Sequence, residues 1–241
     1  MSTTTPSSNR LPSAFWALNL VQSLGVFNSN LFRWVVVWAL ATRGATAAGT
    51  IDENQIFIVG ALVAIPYILF SSAAGVLADR YSKRSLIVLW NLAAVVIMLI
   101  GALALMSNIP LLIYAAVFLL STQAALFSPN KYGILPEIVP REKLSQANGL
   151  MESGLDLSIV LGTLAGGVAY AAFGQDVAGA STAACWRVSI LCCGISVVAT
   201  AACFFIPPTE ACASGKKITP GCWQDGSRTT ASVPEHPHLV L

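Results

Sequence analysis

Charge is scarce in this 241-residue chain: Asp, Glu, Lys and Arg together make up 10% of it, against about a quarter in soluble domains. That balance excludes an ordinary soluble enzyme with a charged surface. Histidine is nearly absent, and both copies, His236 and His238, fall in the last six residues. No nucleophile elbow, phosphate-binding loop or zinc-ligand spacing occurs, so no catalytic residue, metal or cofactor is called for. The six cysteines (Cys185, Cys192, Cys193, Cys203, Cys212 and Cys222) contain no C-x-x-C pair. They read as small apolar side chains rather than a disulfide framework. The formal net charge of +2 carries no signal for nucleic acid, and no nucleic-acid partner is expected. A cleavable signal peptide is not expected either: the first dozen residues, MSTTTPSSNRLP, are polar, and the apolar stretch after them is too long for a signal core.

What is present in quantity is apolar. Hydrophobic residues make up 56% of the chain and its mean hydropathy is +0.72. Six runs approach or exceed the roughly 20 residues that a spanning helix needs: 13–40, 54–78, 85–106, 109–128, 147–172 and 186–206. The expected fold is therefore an all-α membrane protein with six transmembrane helices, and its first partner is the lipid bilayer. Residues 1–12 form a polar N-terminus and 13–206 the bundle. Residues 207–241, aperiodic and poor in aliphatic side chains, are expected to be a disordered tail. Lys and Arg set the orientation. With the N-terminus inside, Arg10, Arg80, Lys83, Arg84, Lys131, Arg141 and Lys143 lie on the inner side, against Arg43 and Arg187 outside. Both termini are then cytoplasmic.

The first run carries polar groups that hydrocarbon would not tolerate. At 100° per residue, Asn19, Gln22, Ser23, Ser29, Asn30 and Arg33 share one arc of roughly 120°, a wet stripe on a spanning helix. Asn28 points nearly opposite and needs a separate partner. In the fifth run Gly154, Ser158, Gly162 and Gly166 recur every fourth residue, a ridge that permits close helix contact. Asp156 lies off this ridge, about 13 Å in from the inner end at 1.5 Å per residue, level with Asn19 and Gln22. It is expected near one of them, with Asn19, Gln22, Asn28, Asn30, Arg33 and Asp156 as the candidate substrate-binding set.

Two inner loops follow from the same reading. Between the second and third runs, Gly75-Val-Leu-Ala-Asp79-Arg80-Tyr-Ser-Lys83-Arg84 offers a glycine for close helix approach, an acid that can cap the next helix, and cations for the anionic inner leaflet. After the fourth run, Pro129 and Gly133 are expected to break the helix and Pro136 to start a new turn. Residues 127–137 are then an amphipathic linker holding Lys131, Tyr132, Gly133, Pro136 and Glu137. The stretch Leu144-Ser145-Gln-Ala-Asn148-Gly-Leu-Met-Glu152 continues from it, with Ser145 or Asn148 as cap.

The first loop, G-x-L-A-D-R-x-x-K-R, resembles the loop between helices two and three of the major facilitator superfamily, where it latches the two halves of the transporter. Residues Phe15–Arg33, that loop, and Ser128–Glu137 with the LSxANGLxE stretch ending at Glu152 together resemble the lysophospholipid transporter family within that superfamily, over residues 13–206. The family usually has an acid between the two asparagines of its FNxN motif; here Ser29 stands there.

The resemblance implies the N-terminal six-helix half of a major facilitator fold. It also implies a secondary transporter, not an enzyme, that moves lysophospholipid across the bacterial inner membrane by alternating access. The superfamily uses twelve spans in two halves, so the expected partners include a missing C-terminal half or a second copy of the chain. Two other readings stand beside it: a truncated, non-transporting membrane fragment or interaction module, and a half-transporter acting only as a homodimer.

Overall fold

The computed structural model describes residues 11–43, 54–107, 109–173 and 181–207. The polar N-terminus up to residue 10, the tail from residue 208, and His236 and His238 lie outside the described residues. Among the described residues the chain is helical. Its elements are α1 (Ser13–Arg43), α2 (Asn54–Arg80), α3 (Lys83–Ser107), α4 (Pro110–Ile138), a one-turn 3₁₀ helix (Arg141–Lys143), α5 (Leu144–Phe173) and α6 (Ser181–Cys203). The first five long helices are each long and apolar enough to cross a membrane; in α6 the apolar part, Arg187–Cys203, is shorter.

Two apolar clusters hold the bundle, one toward each end. At the end where α2 passes into α3, Phe15, Leu18, Ile87, Ile134, Leu135, Met151 and Ile206 bury one another. Toward the other end, Phe32, Val35, Val36, Met98, Leu105, Ile113, Val117 and Cys192 do the same. α1 packs most extensively on α5 and then α6, α4 on α2 and α3, and α3 on α6. Exchanging the first three helices for the last three maps this pattern onto itself. The bundle therefore has a three-plus-three pseudo-symmetric packing.

The α1–α5 contact follows from the small-residue ridge. A Cβ on Gly162 would stand 2.5 Å from the Phe27 carbonyl oxygen, and one on Gly166 would stand 2.7 Å from Trp34 Cβ. Ser158, on the same ridge, turns its hydroxyl inward to the Gly154 carbonyl at 2.7 Å. Gly75 plays no such part, because nothing lies within 4 Å of its Cβ position.

α4 differs from expectation. Pro129 and Pro136 lie inside it, and the helix runs unbroken past Gly133 to Ile138. Proline removes one backbone bond locally, but membrane helices tolerate it where neighbours compensate. Here Ile134 and Leu135 are fully buried, the Asn130 side chain donates to the Leu126 carbonyl at 2.8 Å, and Glu137 pairs with Lys83 of α3. Residues 127–137 are therefore the last turns of a spanning helix rather than a linker. The caps also differ. Ser82, not Asp79, caps α3, accepting from the Ser85 amide at 3.3 Å. Ser145 and Asn148 lie within α5, which begins at Leu144.

Candidate functional site

Between the two apolar clusters lies a cavity of about 280 Å³ to which all six helices contribute. α1 supplies Gln22, Asn28, Ser29, Asn30 and Arg33; α2 supplies Tyr67, and α3 supplies Asn91. From α4 come Gln123 and Lys131, from α5 Leu155 and Ile159, and from α6 Ser196. Among the described residues that line it are two cations, Arg33 and Lys131, and no carboxylate.

The polar residues of α1 are individually anchored. Gln22 donates from Nε2 to the Met151 carbonyl of α5 at 2.6 Å and to Asn19 Oδ1 at 3.3 Å. Asn28 finds its separate partner in α6: its Nδ2 donates to the Cys192 carbonyl at 2.9 Å and to Ser196 Oγ at 2.8 Å. Ser29 turns its hydroxyl back to the Gly25 carbonyl at 2.8 Å. Asn30 donates to the Val26 carbonyl at 2.8 Å and accepts from Arg33 Nη1 at 3.2 Å.

The two cations lean toward one another along the bundle axis, from Cα levels about 20 Å apart. Side chains lean toward the N-terminus of their own helix, and α1 and α4 run in opposite directions. Arg33, about 30 Å along α1, leans back toward the start of that helix. Lys131, about 10 Å from the end of α4, leans toward the bundle centre, its Nζ 4.6 Å from the Tyr132 ring centroid. Lys131 is 5% exposed. A positively charged, largely buried cavity with an apolar α5 wall can hold an anionic group joined to an apolar tail.

Two expected members of the binding set stand elsewhere. Asn19 packs beside α5, with its Oδ1 2.8 Å from the Cβ position of Gly154, and is not among the lining residues. Asp156 is exposed and does not line the cavity. Two residues on from Gly154, it points about 200° around the helix from the ridge that meets α1.

The loop residues also sort themselves. Asp79 and Arg80 are exposed, while Arg84 is half-buried. Lys83 does not reach outward; it is buried and bonds Glu137, with its aliphatic stem lying across Gly133. Pro136 is exposed within the last turn of α4. The Tyr132 hydroxyl donates to Glu152 Oε2 at 2.9 Å, joining α4 to α5.

Lys131 falls outside the binding set read from the sequence, because Pro129 is a local signal for the end of α4. Tyr67, Asn91, Gln123 and Ser196 were also missed, although each is a polar residue inside an apolar run and carried that signal.

Residues 11–235 match the sequence profile described as Major Facilitator Superfamily. The chain belongs to that superfamily. Members are membrane transporters, not enzymes, and this chain is accordingly an integral, multi-pass membrane protein. Among named relatives, the Lysophospholipid transporter LplT of Yersinia enterocolitica serotype O:8 / biotype 1B is 33% identical over 173 residues, covering 70% of this chain and 37% of the relative. The protein of the same name from Escherichia coli O1:K1 / APEC is 40% identical over 115 residues, covering 47% of this chain and 26% of the relative. One from Shigella boydii serotype 18 gives the same figures. The chain thus matches only 26–37% of the length of these relatives.

Proposed function

We propose that the cavity holds the headgroup of a lysophospholipid and that the chain is the N-terminal, six-span part of a transporter moving that lipid across the bacterial inner membrane. The observation that carries this reading is the lining: Arg33 and Lys131 face the cavity, no carboxylate is among the described residues of its wall, and the carboxylate that acts on Lys131, Glu152, stands outside it. A phosphodiester headgroup supplies the missing negative charge, and charge-assisted bonds to it are the strong kind. The acyl chain follows the apolar wall of Leu155 and Ile159, the latter 38% exposed, toward the outside of the bundle. The names of the relatives point to the same lipid class.

In this reading Gln22, Asn28, Asn30 and Arg33 contact substrate, joined by Lys131, while Asn19 positions Gln22. The loop of Gly75, Asp79, Arg80, Lys83 and Arg84 works with Glu137 as the conformational latch, and both termini are cytoplasmic. Residues 13–206 form the bundle and 207–241 a separate tail. Asp156 fits a different task. A carboxylate facing hydrocarbon is costly, so the exposed face of α5 that bears Asp156 suits further transmembrane helices, supplied by a C-terminal half or a second copy. Alternating access then moves the two sets of helices about the cavity.

The test is flipping of a headgroup-labelled lysophospholipid in proteoliposomes. Co-reconstitution with the C-terminal half of a relative should give protein-dependent flipping that is lost on replacing both Arg33 and Lys131 by Gln. Flipping that survives the double replacement refutes the reading.

A further inference from the structure

Lys131 is 5% exposed, and a buried cation needs an anion close by. Among the described residues it closes no ion pair of its own. The anion that acts on it is Glu152 of α5. Glu152 is exposed and stands outside the cavity wall. Its Oε2 accepts from the Tyr132 hydroxyl at 2.9 Å. The ring of the same tyrosine meets the lysine, with Lys131 Nζ 4.6 Å from the ring centroid. Tyr132 thus touches both charges, the cation through its ring and the carboxylate through its hydroxyl.

This arrangement gives Lys131 two claims on its charge. A phosphate in the cavity draws Nζ from one side, and Glu152 draws it from outside the wall. Whatever Nζ gains from Glu152 while the cavity is empty opposes its turning to a phosphate. The tyrosine hydroxyl sets how strong that opposition is. While it holds Oε2, the carboxylate acts on Lys131 without closing an ion pair. Released, the carboxylate is free to close on Nζ and take the place of the phosphate.

We propose that Glu152 is a tethered competitor for Lys131. It offsets the buried cation while the cavity is empty, and Tyr132 holds it back from shutting the phosphate out. Glu152 and Tyr132 are positioning residues: both act on the lipid through Lys131. A transporter must release what it binds, and a resident anion beside the binding cation lowers the cost of release. This rests on the headgroup reading of the same cavity.

The test is equilibrium binding of a fluorescent lysophospholipid to the whole chain in nanodiscs. Glu152→Gln should bind it about twofold to fivefold more tightly, the scale of a partly exposed charge pair. Tyr132→Phe keeps the ring and frees the carboxylate, and should bind it more weakly by a similar factor. Both effects should vanish once Lys131 is replaced by Gln, and Tyr132→Phe should have no effect in a Glu152→Gln background. A purely structural role for either residue would not produce opposite shifts that both depend on Lys131. Asp156→Asn is the control, since Asp156 lies one turn further along the exposed face of α5. If it tightens binding as much as Glu152→Gln, the charge of that face rather than Glu152 sets the affinity, and the proposal is overturned. Unchanged or weaker binding by Glu152→Gln overturns it too, as does a gain that persists undiminished in Lys131→Gln. If Glu152→Gln fails to insert, Tyr132→Phe against the wild type decides. Failure of the wild type to bind the lipid at all refutes the headgroup reading, and this proposal with it. Saturable wild-type binding that Glu152→Gln leaves unchanged refutes this proposal alone.

Discussion

Replacing Gly162 by alanine should weaken the protein even though alanine is the better helix former. The new Cβ would lie 2.5 Å from the Phe27 carbonyl oxygen and 2.9 Å from Asn30 Cβ. Ordinary contact begins at 3.4 Å, so α5 must retreat from α1 by roughly 0.9 Å at that point. Forcing a packed interface apart in this way costs about 1–3 kcal/mol, while the gain in helix propensity is at most about 1 kcal/mol. The net expectation is a loss of about 1–2 kcal/mol, felt where Asn30 supports Arg33. Gly75→Ala is the matched control. Nothing lies within 4 Å of that Cβ, so only the propensity gain of about 0.5–1 kcal/mol remains, and the sign reverses. Gly133→Ala should fall between, because its nearest neighbours are Lys83 Cε at 3.1 Å and Cδ at 3.3 Å, a stem that can move. Thermal unfolding of the three variants in one detergent, followed by tryptophan fluorescence, gives the order. If Gly162→Ala proves as stable as Gly75→Ala, the close α1–α5 packing is refuted.

Lys83→Met removes the Lys83–Glu137 ion pair and should cost about 1–3 kcal/mol; a double-mutant cycle with Glu137→Leu by thermal unfolding should return a favourable coupling between the two. Asn28→Leu removes the two bonds by which Asn28 holds α6 and should lower stability by about 1–3 kcal/mol, read as faster proteolysis of the reconstituted protein. Tyr132→Phe loses only an exposed bond to Glu152 and should change the unfolding midpoint little, within about 0.5 kcal/mol.

The helices were legible in the sequence because hydropathy reports burial in lipid directly. Each apolar run became a helix, and the ridge from Gly154 to Gly166 met α1 as its four-residue spacing requires. The end of α4 was not legible. Pro129, Gly133 and Pro136 are local signals, and the burial of Ile134 and Leu135 and the Lys83–Glu137 pair override them from other helices. That error hid Lys131, which enters the cavity only if α4 continues. The wet stripe of α1 was found but is not uniform. Gln22, Ser29, Asn30 and Arg33 line the cavity, while Asn19 is taken up by the contact with α5. For Asp156 the depth was readable and the direction was misjudged. Its offset from the glycine ridge already turned it away from α1, and fixing its outlook required knowing what the ridge touches.

Arg33 and Lys131 are proposed to hold a lysolipid phosphate. Equilibrium binding of a fluorescent lysophospholipid in nanodiscs, to the wild type and to Arg33→Gln and Lys131→Gln separately, tests it most directly. Saturable wild-type binding is expected, weakened about tenfold or more by each neutralisation, the worth of a bond to a charged group. Wild-type affinity retained in both variants, or no saturable binding by the wild type, would contradict it.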